Sequence, residues 1–125
     1  MATDKSYQKT LEVPAGVTGD FTATIYDEDG NILPGSSIDE ITLKLTTGDG
    51  TVINSRTGSG SAANVTVSEA GVLLWEMQEE DTDIQAATVQ LNQKEIHDAL
   101  FEWTYATTTK RGRFRLLLEC VKIAR

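Results

Sequence analysis

The sequence predicts an all-β fold: an antiparallel β-sandwich, immunoglobulin-like in broad architecture, with roughly seven to nine strands and one short helical turn. Three observations predict it. Apolar residues recur mostly at period two rather than at the spacing of a helix face. Turns rich in Gly, Asp and Asn interrupt the chain at short intervals. No apolar helical stripe runs for three turns or more.

The first alternating segment is DFTATIYD, residues 20–27, which sets Phe21, Ala23 and Ile25 on one face and Thr22, Thr24 and Tyr26 on the other. That is the pattern of a half-buried strand. DEDGN follows as a turn in which Gly30 or Asn31 tolerates a positive φ. EITLKLT repeats the alternation, with Ile41, Leu43 and Leu45 inward and Thr42, Lys44 and Thr46 outward. TGDG joins it to TVINSR as a hairpin, Asp49-Gly50 being a favoured turn pair. The Gly- and Ser-rich residues 57–63 read as a long surface loop. NVTV and GVLLWEM resume strand character around a turn at residues 68–71.

MQEEDTDIQ breaks the period, and its acids Glu79, Glu80, Asp81 and Asp83 suit one helical turn on the surface across an end of the sheet. AATVQL is expected to be a short strand and NQKE a polar loop. The last two strands are the best defined. Ala99, Phe101, Trp103 and Tyr105 share one face opposite Glu102 and Thr104; Phe114, Leu116, Leu118 and Cys120 share another opposite Arg113, Arg115 and Glu119. TTTKRG connects them as a hairpin. The expected core is Phe21, Ile25, Ile41, Leu43, Trp75, Phe101, Trp103, Phe114, Leu116 and Leu118. Trp75 is placed there by size, since its own strand is apolar on both faces.

The 125 residues fit one domain, residues 1–125, large enough for a core without disulfide or metal staples. Hydrophobic residues make up 39% and charged residues 24%, the balance of an ordinary globular chain. A net charge of −8 argues against a nucleic-acid or anionic-membrane surface. The one cysteine, Cys120, lies in an apolar run and reads as a buried hydrophobe. MATDKSYQ has no apolar signal core and no stretch is long enough to span a bilayer, so synthesis and assembly in a reducing cytosol are expected.

Asp27, Asp29 and Asn31 have the look of a calcium loop, but an EF-hand needs Gly at position six and Glu at twelve, where Ile32 and Ile38 stand. An acidic β-turn is the better reading. His97 beside Asp98 would make a dyad only if neighbouring strand residues faced the same way, which they do not, and His97 reads as a solvated polar residue. One Cys and one His cannot complete a zinc set. The acids at residues 79–83 cluster on one turn rather than facing each other across a glycosidase cleft. Asn64 opens an Asn-Val-Thr glycosylation pattern that has no meaning without a secretory signal. No metal, cofactor or catalytic residue is therefore assigned.

KRGRFR, residues 110–115, is the candidate that survives. Residues 1–109 hold 18 acids and 5 bases, net −13, whereas residues 110–125 hold 6 bases and 1 acid, net +5. A phosphate polyanion approaching Lys110, Arg111, Arg113 and Arg115 would meet a strongly negative body within about a Debye length, roughly 8 Å. Two readings stand: Arg113 and Arg115 pair with acids on an adjacent strand, or the basic strand meets the acidic turn (Glu79, Glu80, Asp81, Asp83) of another subunit.

Four stretches, GDFTATIYDEDGN, ITLKLTTGDGTVI, VSEAGVLLWEMQEEDTDI and HDALFEWTY with the basic hairpin after it, together cover most of the chain. In these the chain resembles a family of small structural proteins of tailed bacteriophages. The resemblance implies a non-enzymatic virion component, built in the host cytoplasm, with other copies of itself and other virion proteins as partners. A capsid-associated place (decoration, cement or head–neck component) is favoured over a tail or baseplate one. A ligand- or carbohydrate-binding sandwich is the alternative from another class, and it meets a shortage of aromatics outside inward positions. An enzyme is the third.

Overall fold

The computed structural model describes residues 4–59, 64–86, 88–107 and 109–123. Two sheets face each other. The larger is built from β1 (Asp4–Pro14), β8 (Lys110–Val121), β7 (Lys94–Tyr105), β3 (Ile38–Thr47) and β4 (Val52–Ser59), side by side in that order. The smaller is β2 (Gly19–Thr24), β6 (Val72–Met77) and β5 (Val65–Val67). A 3-10 turn, Gly35–Ser37, leads into β3, and a four-residue helix α1, Glu79–Thr82, follows β6. In immunoglobulin lettering the order reads A′-G-F-C-C′ over B-E-D, so the expected sandwich is present.

Alternation decides what each strand buries. Phe21, Ile41, Leu43, Trp75, Phe101, Trp103, Phe114, Leu116 and Leu118 all turn into the space between the sheets, and Ile25 follows directly after β2 in the same core. At the centre the rings interlock. Phe21 stacks on Phe101 with centroids 6.2 Å apart, and Trp75 meets Phe101 edge-on at 5.6 Å. These offset and edge-to-face arrangements are the ones aromatic quadrupoles favour.

Turn chemistry closes the ends. Asp27 Oδ1 accepts hydrogen bonds from the Asp29 and Asn31 N–H groups, both at 2.9 Å, while Gly30 takes φ +85°. The carboxylate of the candidate calcium loop is thus engaged in an ordinary Asx turn. The Asp49-Gly50 turn joins β3 to β4, with Gly50 at φ +88°, and residues 68–71 turn β5 into β6.

Several segments depart from the sequence reading. The N-terminal strand β1 was not anticipated, and it runs parallel to β8, so the sandwich is not wholly antiparallel. The strand expected in AATVQL is absent among its described residues. That stretch belongs to the crossing from the smaller sheet to the larger. Lys94 and Glu95, placed in a loop, open β7. Of the loop expected at residues 57–63, residues 57–59 belong to β4, and residues 60–63 lie outside the described residues.

Candidate functional site

Strand periodicity places Arg111, Arg113 and Arg115 on the face of β8 turned away from the core, because Gly112, Phe114 and Leu116 occupy the inward positions. Antiparallel register then supplies partners. Arg113 lies directly opposite Glu102 of β7, and its Nη2 reaches Glu102 Oε2 at 2.9 Å. Arg115 Nε approaches Asp98 Oδ1 at 3.3 Å, one step along the same strand pair. Lys110 at the mouth of the hairpin pairs with the Glu28 carboxylate of the β2–β3 connection. The Glu28 N–H donates to Tyr105 Oη at 3.1 Å, so this connection is stitched to both strands of the hairpin.

Arg111 differs from its neighbours. It is exposed and makes no ion pair among the described residues. It lies in a shallow groove of about 240 Å³ shared with Glu40, Thr42 and Glu102. The sequence reading in which Arg113 and Arg115 face acids on an adjacent strand is therefore the observed one. It leaves Arg111 as the member of the four that keeps its charge for solvent or a partner. Such exposed pairs contribute only ~0–1 kcal/mol each, so the ladder sets side-chain geometry more than it sets stability.

At the other end of the larger sheet the same outer face carries Lys94 between Glu12, at 2.8 Å, and Glu119, at 3.4 Å. The hydrogen bond that Lys94 donates to Glu12, reinforced by the Glu119 charge, holds the Lys94 ammonium above its ordinary range.

The acidic turn is α1. Glu79 and Glu80 are exposed, and neither forms an ion pair among the described residues. Asp81 corrects the expectation of a solvated cluster: it is fully buried, and its Oδ2 accepts the Gln78 N–H at 2.8 Å. The Gln78 carbonyl accepts the Asp81 N–H at 3.0 Å in return. An acid three residues into a helix satisfies an orphan donor of the first turn, and that use turns it inward. Asp83 is half-buried. Thr82 secures the turn from below, its Oγ1 accepting the Gly16 and Val17 N–H groups at 2.9 and 3.1 Å.

His97 is the second correction. It is not solvated but fully buried beneath α1. Its Nδ1 lies 2.8 Å from the Asp81 carbonyl oxygen and its Nε2 2.5 Å from Glu95 Oε2, while Cys120 Sγ sits 3.5 Å from Nδ1. Asp98, as expected of its neighbour, turns outward to Arg115. The missed signal was available in the sequence. Residues 95 and 97 continue the inward stripe of Ala99, Phe101 and Trp103 by two further steps of two.

Cys120, His97 and Glu95 have the outline of a thiol triad, but the chemistry does not follow. Burial and the Glu95 charge push the thiol up to about 12, so almost no thiolate exists at neutral pH. The ring nitrogen nearest the sulfur already faces a carbonyl that requires its hydrogen. Neither His97 nor Cys120 is exposed to a substrate. Among the described residues no group of three or more His, Cys, Asp or Glu side chains is arranged to hold a metal ion.

Basic strand and acidic turn lie at opposite ends of β7. His97, under α1, is near its start, whereas Arg111 pairs with Thr104 near its end. Seven residues separate the two positions, roughly 23 Å of extended chain. The fold does not bring Arg111 to Glu79 and Glu80 within one molecule. No protein-family model matches the chain, and no curated protein matches it in sequence.

Proposed function

We propose that this protein is a non-enzymatic structural component of a tailed-phage virion, capsid-associated as a decoration, cement or head–neck protein, and that it acts through protein–protein contacts. The observation that carries the contact reading is where the unpaired members of the basic strand and the acidic turn lie. Arg111 stands at one end of the sandwich, and Glu79 and Glu80 stand at the other. Opposite charges at opposite ends complement each other between successive copies or between this chain and a neighbour, and such complementarity fixes register and speeds encounter. Arg113, Arg115 and Lys110 support that geometry through their internal pairs, and Asp81 does so by capping α1. The virion assignment itself rests on the resemblance of the four sequence stretches.

Particles purified from cells producing the phage that carries this gene test the assignment. Quantitative mass spectrometry is expected to find the chain in fixed ratio to the major capsid protein, retained through density-gradient banding. Absence from banded particles, or a ratio that varies from one preparation to the next, overturns it.

A further inference from the structure

The buried cluster beneath α1 holds more hydrogens than neutral side chains supply. Both ring nitrogens of His97 face oxygen acceptors: the Asp81 carbonyl at 2.8 Å and the Glu95 carboxylate at 2.5 Å. Each contact requires a hydrogen between its two heavy atoms, and a neutral imidazole carries one. The second is therefore shared by the His97–Glu95 pair.

Its position follows from the other donors. Glu95 Oε2 also accepts the Gln85 N–H, and Oε1 accepts the Ala86 N–H, both at 2.8 Å. Three donors on two oxygens favour the ionised carboxylate. Burial pushes the Glu95 carboxyl up, but the Gln85 N–H, His97 and the Ala86 N–H together outweigh it and hold the group below its ordinary value. The ring therefore carries both hydrogens.

Other titratable groups around the ring are accounted for. From α1, the Asp81 carboxylate is engaged by the Gln78 N–H; from β8, Cys120 stays a neutral thiol; and Asp98, adjacent on β7, faces away to Arg115.

We propose that His97 and Glu95 form a proton-dependent latch that fastens the crossing segment, residues 79–86, to the start of β7. The ring grips α1 through the Asp81 carbonyl, and its carboxylate partner grips the backbone of residues 85 and 86. With both N–H hydrogens present the latch is closed. Loss of one hydrogen sets a nitrogen lone pair against a carbonyl or a carboxylate, and the segment loosens. The signs on the two sides differ. Glu95, held low in the folded state, adds stability above its unfolded value, and that stability is lost as pH falls through the folded value. The ring acts in the opposite sense, since it holds α1 and Glu95 only while both of its hydrogens are present. The latch stands apart from the virion assignment, although the segment it holds carries Glu79 and Glu80.

His97 is the one histidine of the chain, so its ring resonances are unambiguous. Nitrogen-15 spectra of the wild-type protein, recorded from about pH 5 to pH 9, are expected to show both ring nitrogens protonated at the acid end. Amide exchange at Gln85 and Ala86, corrected for intrinsic rates, is expected to rise roughly tenfold or more as the ring gives up its hydrogen, the effect of losing one charge-assisted bond. Glu95→Gln is expected to uncouple the two observations. One unprotonated ring nitrogen throughout that range, or exchange at residues 85 and 86 indifferent to the ring titration, overturns the latch. So does a Glu95→Gln protein in which exchange still follows the ring. Should that variant fail to fold, the wild-type titration alone decides.

Discussion

At the scale of single residues, the molecule places small and polar groups where apolar bulk would fail. Gly112 is buried in β8 directly across from Trp103, and a Cβ there would lie 2.1 Å from the indole Nε1. The glycine is needed for space, since its φ is not in the left-handed region. Trp103 is itself fully enclosed, with no room to swing outward without opening the core. Gly112→Ala is therefore expected to destabilise the fold by about 1–3 kcal/mol, the cost of forcing a packed ring aside. Chemical denaturation checks this. A midpoint equal to wild type would mean that the indole yields freely. Elsewhere burial explains the inert thiol: Cys120, enclosed in the core beside His97, behaves as a small apolar side chain.

At the scale of elements, α1 formed where its sequence signal placed a helical turn, Glu79 and Glu80 are exposed as a solvated face requires, and Asp81 alone is fully buried. A cluster of four acids reads as a solvated face. The backbone instead recruits Asp81 as an internal cap and leaves Glu79 and Glu80 outside. Asp81→Ala is expected to cost about 1–2 kcal/mol, as removal of a helix cap does. Asp81→Asn, which keeps an oxygen for the Gln78 N–H, is expected to cost clearly less. Thermal melts of the two variants separate a capping role from an electrostatic docking role, for which both changes would matter only in assembly.

The same distinction explains how much could be read beforehand. Strands β2, β3, β7 and β8 were legible because one face is buried and alternation records it. Strand β1 was not. It sits at the sheet edge, and of its inward side chains Leu11 and Val13 are only half-buried, so selection for alternation is weak. AATVQL misled in the opposite sense: β-branched residues suggested a strand where the chain is occupied in crossing between sheets. The candidate basic surface was legible as charge, and pairing with an adjacent strand was one of its two readings, but which acids it meets was not legible. Register, which sets Glu102 against Arg113, depends on where the hairpin turns.

At the scale of the whole molecule, the uneven distribution of charge along the chain becomes a smaller and more specific asymmetry in space. Most of the positive strand is neutralised locally by Glu28, Asp98 and Glu102. Of the basic strand, Arg111 at the end of β7 near the β7–β8 hairpin stays unpaired among the described residues, with Glu40 in the same groove, and of the acidic turn Glu79 and Glu80 stay unpaired at the other end. A contact that joins unlike ends of identical molecules is heterologous, and it propagates into rings or rows rather than closing as a two-fold dimer. Its charge term must weaken as salt screens it over about 8 Å at physiological ionic strength. Arg111→Glu is then expected to slow self-association or incorporation into particles while leaving the isolated fold intact, since it disturbs no internal pair. Glu79→Lys with Glu80→Lys should do the same from the other side. Mixing the two variants should restore the contact in rows where they alternate, because two reversed ends meet at one interface and two unreversed ends at the next. Sedimentation at low and high salt reads the outcome directly. If single and mixed variants associate alike, or if salt has no effect, the charge at the two ends is not what holds copies together.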